Sequence, residues 1–581
     1  MDRLKYLLAI TLLLSYQQFT LAQKNNSVAD LYEVDKNLNE SIFVTTNTNS
    51  FVTGETLLYK IFCIDKTTNT PTKYTKIGYI ALIDSNKKIV FTHKLFLENG
   101  SSNGDFFIPT TLETGTYKII GYTSWMLNKS PEEYFNTDIY IVNPYNENQV
   151  NTSADSTIDS KELTFADVNN NDISIDLKNK TFNNREQVQL KISTLSDDYL
   201  KGNYMISIRK TDGFLAQNKM VFSEYQKTNQ NTAFNTEITS SNFTLPELRG
   251  EIISGRITSS TEEIKNKKVG LSIIGRNYDL KIGKTDDQGR FLFNIENANP
   301  NPNITVQLLE YNKENYTIKI DGPKAIEVSN LNFSKLPFHS ESAKNISQRV
   351  IASQIENAYY NVKKDSLVSP AALTPFYGSV SKEYKLDDFT RFPTMEETIT
   401  EVVNGVVFRK ENKNYSLQVY DYDENYEFSL APLVLVDGLI LENLNEFFTY
   451  NPKNIDKVNV VKGLYYYGAK SFNGIVVFTT KNGDYETKLN GNFIIRPELL
   501  RPQGKKEYFQ PDYSDNKNQR IPDYRHQLLW LPNIDLTAAS TITFYTSDIS
   551  GQFEVILEGF TANGKAVFIK KIIEVKDTTA H

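Results

Sequence analysis

Phe51-Val-Thr-Gly-Glu55-Thr-Leu57-Leu-Tyr59-Lys-Ile61 returns about 131 residues later as Phe182-Asn-Asn-Arg-Glu186-Gln-Val188-Gln-Leu190-Lys-Ile192. Each copy sets a Glu ahead of an apolar alternation. In the second copy Val188, Leu190 and Ile192 fall on one face, and Gln189, Lys191 and Ser193 on the other. That period of two is the pattern of a strand with one buried and one wet face. Self-similarity at this spacing implies two copies of one structural unit. Further strands are expected at 77–83, 89–97 and 116–122 in the first copy and at 204–208 in the second. Short strands separated by turn residues, with few helical signals, predict β-sandwiches.

The surrounding chain sets the bounds. Its 581 residues exceed one core, and roughly 150 residues per domain gives about four domains. Tyr and Phe at 34 each, within a chain that is 39% hydrophobic, supply packed cores and favour strands. A net charge of -7 leaves no basic surplus to neutralise phosphates, which argues against nucleic acid as a partner. With one cysteine, Cys63, no internal disulfide can form. Cys63 stands in the apolar run 57–64, the setting of a buried structural thiol. At the N-terminus, Arg3 and Lys5 precede an apolar run over 7–14, and Thr20-Leu21-Ala22 offers small residues for cleavage. This reads as a signal peptide over 1–22, an exported chain starting near Gln23, and no direct transmembrane anchor.

Residues 51–122, with Gly54-Glu55-Thr56, the Gly104-Asp105-Phe106 turn and Gly115-Thr116-Tyr117-Lys118, resemble the macroglobulin-type sandwich of bacterial α2-macroglobulins. The resemblance implies two such sandwiches, at 23–145 and 163–244, joined by a polar linker at 146–162. Trapping members of that family carry a Cys-Gly-Glu-Gln thioester. Cys63 is followed by Ile64-Asp65-Lys66, so covalent trapping is not implied. Asp167-Val-Asn169-Asn-Asn171-Asp172 lacks the Gly and the bidentate Glu of a calcium loop and reads as a solvated turn. A third unit over 245–335 carries Asp287-Gln-Gly289 before alternating aromatics, a hairpin signal. It resembles a carboxypeptidase-regulatory-type module. Over 336–392 an amphipathic stretch places Ile346, Val350, Ile351, Ile355 and Tyr359 on one side of a bridging helix.

The sharpest pattern lies in 393–483. Thr394-Met-Glu-Glu397 is a capping box for a short helix carrying Ile399, Val402 and Val403. Pro432-Leu-Val-Leu-Val-Asp437-Gly438 reads as a buried strand ending in a tight turn. Asn451-Pro-Lys-Asn-Ile455, Tyr467-Gly468 and Asn473-Gly474-Ile475-Val-Val-Phe478 complete a small mixed αβ unit. Over 433–483 this order resembles the plug domain of TonB-dependent outer-membrane transporters, SusC-like ones especially. About 98 residues follow Gly483, against some 22 strands of about 10 residues for a large barrel, so the plug-like unit is expected to act without one. The segment 484–581 is expected to form an extended stretch and a closing sandwich portion, with strands at 541–545, 551–558 and 565–575.

The expected fold is therefore mainly β: a string of Ig-like or macroglobulin-like sandwiches with one small α+β plug-like domain. Chemistry is sparse. The four histidines, His93, His339, His526 and His581, have neither metal-ligand nor triad spacing, and adjacent pairs such as Glu396-Glu397 point in different directions. No nucleophile elbow, zinc helix motif or phosphate loop occurs, so no catalytic residue, metal site or cofactor is expected. Tyr465, Tyr466 and Tyr467 form a candidate partner contact, with alternate burial as the competing reading. The resemblances imply a periplasmic, non-enzymatic accessory subunit on an outer-membrane β-barrel protein or complex. The alternatives are a thioester-free macroglobulin-like protease inhibitor, with 146–162 as bait, and an envelope glycan-binding protein.

Overall fold

The computed structural model describes residues 38–146, 167–211, 219–229, 244–335, 342–380, 382–420, 430–514, 520–536 and 541–577. The signal segment 1–22 and nearly all of the linker 146–162 lie outside these residues, as do His339 and His581. The described chain is mainly β, built from three sandwiches and a small mixed unit.

In the first sandwich, Glu40–Thr46, Thr56–Asp65 and Ser101–Phe107 form one sheet. The facing sheet runs Ser50–Val52, Phe135–Val142, Gly115–Tyr122, Ile77–Ile83 and Ile89–Phe96. The strand Thr56–Asp65 is buried along nearly its whole length. One side lies within its own sandwich, where Tyr59 meets His93. The other side meets the second sandwich: Leu58 packs on Met205 and Trp530, and Phe62 stands 4.9 Å from Phe560. The run 57–64, apolar except for Lys60, is thus a strand covered on both faces, which explains why it does not alternate.

The second sandwich repeats the first strand for strand, except that the two-residue strand Thr70–Pro71 at the edge of Thr56–Asp65 has no counterpart. Ile173–Leu177, Gln187–Thr194 and Thr541–Tyr545 form one sheet, and Thr181–Asn183, Ala566–Lys576, Gly551–Thr561, Gly202–Lys210 and Gln527–Ile534 the other. In both copies the short strand of the repeat pairs in parallel with the last strand, Phe51 against Ile141 and Phe182 against Val575. Val188, Leu190 and Ile192 are buried between exposed neighbours, as the alternation requires. The boundary at 163–244 is corrected, however: half of the eight strands come from residues after 526, and the tail is no separate closing unit. The hairpin that follows Gly202–Lys210 is opened to admit residues 211–526, and sandwich loops tolerate such insertions because they bury little backbone.

Among the described residues the insertion carries three α-helices: α1 (Phe222–Asn229), α2 (Ser342–Ala358) and α3 (Met395–Val402). Its sandwich pairs Arg290–Ile295, Glu251–Thr258 and Thr317–Ile320 in one sheet. Asp279–Lys284, Lys268–Ile273, Ile304–Leu308 and the late strand Ile494–Ile495 form the other. The turn at Gly289 forms as read, with φ +72° and the Asp286 carboxylate accepting from Gln288 and Arg290 N–H. It is not a hairpin: its flanking strands lie in different sheets, so it arches across the sandwich. The mixed unit has a five-stranded sheet in the order Lys382–Lys385, Ile455–Tyr467, Lys470–Thr480, Leu433–Val436, Leu439–Ile440. Thr394 caps α3 by accepting from Glu397 N–H at 3.2 Å, as the capping box predicts. Leu433–Val436 pairs in parallel with Ile475–Phe478. Val434 and Val436 face the unit's own core, whereas Leu433 and Leu435 share a core with Leu280, Ile282 and Leu309 of the inserted sandwich.

Removing residues 541–581 deletes three strands of the second sandwich. The expected outcome is collapse of that sandwich, read as rapid proteolysis between 167 and 210 while the fragments 244–335 and 382–480 persist. A milder lesion, Phe553→Ala at a fully buried position, is expected to cost about 3–5 kcal/mol in urea unfolding.

Candidate functional site

The three tyrosines do not form one patch. They end the long strand Ile455–Tyr467, whose partner begins at Lys470 after a turn at Gly468. Alternation sends Tyr465 and Tyr467 to one side. There Tyr465 donates to the Phe376 carbonyl at 2.8 Å, Tyr467 donates to the Leu280 carbonyl, and the Phe376 and Tyr467 rings are 4.1 Å apart. This side is tied to the inserted sandwich. Tyr466 is 71% exposed and Leu464 44% exposed on the opposite side.

Asp437-Gly438 proves to be architecture. The buried Asp437 carboxylate accepts from Thr480 N–H at 2.8 Å, the Thr480 hydroxyl at 2.6 Å and Tyr485 N–H at 3.1 Å. Gly438 takes φ +90°, and a Cβ there would stand 2.4 Å from Tyr278. These contacts consume the acidic group that the motif brings to the strand end.

The conserved geometry of the repeat leads to a buried ionic junction. In the first copy the Glu55 carboxylate closes its turn by accepting from Val52 N–H at 3.0 Å, and in the second Glu186 accepts from Asn183 N–H at 2.6 Å. Gly54 and Arg185 occupy the same left-handed position, at φ +93° and +55°. Glu55 additionally receives Arg349 of α2 in a two-pronged pair, Nε at 2.9 Å and Nη2 at 2.5 Å, and lies 3.5 Å from Arg209 Nη2 of the second sandwich. Arg349 also donates to the Ser50 carbonyl at 2.8 Å, and Asn357 to the Gly54 carbonyl at 2.9 Å. Burial pushes the Glu55 carboxyl up, but Arg349 and Arg209 more than reverse this and leave it below the usual carboxylate range. His526 adjoins this junction, and burial, then Arg209 and Arg349, pull its imidazole down to about 3.

The apolar pattern groups Ile351 and Tyr359 with Ile346, Val350 and Ile355 on one side of the bridging helix. Ile351 and Tyr359 are exposed, and the buried stripe is Ile346, Arg349, Ala352 and Ser353. No sequence signal marks an arginine as the centre of a packed helix face.

A second buried cation joins the two outer sandwiches. Lys60 is fully buried, and its ammonium donates to the carbonyls of Tyr204 at 3.2 Å and Pro532 at 2.5 Å and to Asn533 Oδ1 at 3.3 Å. The register between Gly202–Lys210 and Gln527–Ile534 shifts between Tyr204 and Ile206, a bulge at which Pro532, lacking an N–H, fits. In the same interface Glu558 accepts from the Thr45 hydroxyl at 2.6 Å.

The remaining candidates are structural. Cys63 is buried, its thiol pushed well up by burial and then by Glu40. His93 lies 2.7 Å from the Tyr59 hydroxyl, and burial pulls it down to about 4. Asp167 accepts from Ile572 N–H and Lys180, so the segment starting there joins the last strand. Among the described residues no group of three or more His, Cys, Asp or Glu could hold a metal ion.

No family model and no curated protein sequence matches the chain. Solved structures to which it is similar include Salmonella α2-macroglobulin reacted with methylamine, at 8% identity and a TM-score of 0.22, covering 93% of this chain and 39% of that one. Escherichia coli α2-macroglobulin activated by porcine elastase matches at 10% identity and a TM-score of 0.23, covering 93% and 44%. A β-glucosidase from Listeria innocua covers 18% of this chain at a TM-score of 0.13. The chain spans about two fifths of the macroglobulin structures, and superpositions this loose carry no inference about activity or partner.

Arg349→Ala leaves Glu55 buried with its two-pronged partner removed, and is expected to cost about 3–5 kcal/mol, read as a lowered urea midpoint. A pH effect follows from Lys60. Burial pulls its ammonium from 10.5 down to about 7 in the folded chain. Between these values the unfolded chain binds more protons, so stability rises with pH across that window. Lys60→Met is expected to flatten the rise in melting temperature between pH 7 and pH 10.

Proposed function

We propose that the chain is an exported, non-catalytic scaffold that docks on an outer-membrane β-barrel machine through the solvent side of its plug-like hairpin. The observation that carries the reading is the two-sided character of Ile455–Tyr467. One side is committed to the inserted sandwich through Tyr465 and Tyr467, while Leu464 and Tyr466 stand in water on the other. A Tyr held out on a strand backed by packed cores offers contact area with little ordering cost, and such residues are enriched at interface centres. The resemblance of 433–483 to transporter plugs, which sit inside barrels, supports a barrel protein as the partner class. The signal-like segment 1–22 supports an envelope location, with membrane association through that partner. The buried junctions at Glu55 and Lys60 support the scaffold part of the reading, because they join both outer sandwiches and α2 into one platform.

The test is affinity purification of the tagged chain from native envelopes in mild detergent, followed by mass spectrometry. Stoichiometric recovery of a barrel protein is expected. Tyr466→Ser is expected to reduce that recovery about tenfold or more, the loss of a contact of at least about 1.4 kcal/mol. Recovery of the chain alone would overturn the scaffold reading, and an unchanged yield with Tyr466→Ser would remove the hairpin as the docking face.

A further inference from the structure

A cleft of about 530 Å³ opens where the first and second sandwiches meet, with Lys505 of the insertion on its rim. We infer that this cleft is a binding site for a neutral saccharide. The inference stands apart from the docking reading, since the cleft and the plug-like hairpin belong to different bodies.

The lining argues for the ligand class. Four asparagines, Asn99, Asn103, Asn203 and Asn533, and two serines, Ser101 and Ser102, line it. Amides and hydroxyls both donate and accept, as sugar hydroxyls do. The charged lining residues cancel: Glu98 and Asp535 against Lys201 and Lys505, with Glu98 and Lys505 paired to each other. An unbalanced field that would select a phosphate or a metal is therefore missing from the lining. One half-buried ring, Phe96, offers a flat apolar face. Two edge strands, Ser101–Phe107 and Gln527–Ile534, border the cleft, but beyond Phe96 the apolar lining consists of Leu200 and Ile534, which gives a peptide few anchor pockets.

The frame is set before any ligand arrives. Ser101 donates to Asn203 Oδ1 at 2.8 Å, and Asn203 Nδ2 donates to the Asn99 carbonyl at 2.8 Å. Asn533 Nδ2 donates to Asn103 Oδ1 at 3.1 Å, while Asn533 Oδ1 accepts from the fully buried Lys60 ammonium at 3.3 Å. Each of these bonds except the last spans the two sandwiches at the cleft itself, and the last roots the cleft in the buried interface. Orientation fixed in advance lowers the ordering cost of binding, and clefts of some 300–1,000 Å³ at domain interfaces are the usual location of small-ligand sites.

The test uses the full chain with maltotriose, mannotriose, xylotriose and chitotriose as probes and trialanine as the peptide control. Binding is read by saturation-transfer difference NMR and titration calorimetry. At least one trisaccharide is expected to bind and trialanine is not. Lys201→Trp at the exposed rim narrows the cleft without touching the cross-sandwich bonds, and is expected to weaken binding about tenfold with the melting temperature unchanged. If that variant does not fold, Lys505→Trp elsewhere on the rim takes its place with the same expectation. Absence of signal from all four sugars, binding of trialanine in their stead, or sugar binding that survives the cleft-narrowing variant would each overturn the proposal.

Discussion

The carboxylate of Glu55 is held away from water by three pieces of chain that are far apart in sequence: its own turn, Arg349 of α2 and Arg209 of the second sandwich. A buried carboxylate is tolerable only when cations and N–H donors replace its lost hydration, so these three pieces must come together or the charge is stranded. Arg209 stands one residue before Lys210, whose N–H reaches the His526 carbonyl, the point where the chain leaves the second sandwich and later returns to it. The junction therefore sits at the neck of the insertion and sets how α2 lies on the first sandwich.

The same logic of double coverage recurs along the molecule. Thr56–Asp65 is covered by its own sandwich and by the second, and Leu433–Val436 by its own unit and by the inserted sandwich. A strand buried on both faces cannot be exposed without opening two cores, so each couples its neighbours more firmly than a surface ion pair would. Lys60 adds a directional element, because its ammonium finds three acceptors only where the bulge at Pro532 presents them. The hairpin formed by Ile455–Tyr467 and Lys470–Thr480 inherits this support on one side and leaves Tyr466 unsupported on the other.

Much of the local structure was legible. The matched Glu55 and Glu186 close equivalent turns, Thr394 caps α3, and Val188, Leu190 and Ile192 are buried. Two readings failed for a common reason. The aromatics after Gly289 suggested a hairpin, and the stripe through Ile351 and Tyr359 suggested a helix face, yet both depend on which distant surface the segment meets. The tyrosine triplet split in the same way: alternation was visible, but the presence of Phe376 and Leu280 on one side alone was not.

The sequence by itself determined the β class of the chain, the existence of a repeated sandwich and the turns that Glu55 and Glu186 close, whereas Gly104-Asp105-Phe106, expected as a turn, lies inside the strand Ser101–Phe107. Strand periodicity and turn chemistry act over a few residues and are written in them directly. Only the tertiary structure decided that residues 527–577 complete the second sandwich, that Arg349 answers Glu55, and that Tyr466 faces water while its neighbours do not. Those outcomes rest on contacts between segments distant in sequence, Tyr465 with Phe376, Arg349 with Glu55 and Arg209 with Gln527, and the energy of such contacts belongs to both partners at once and to neither segment alone.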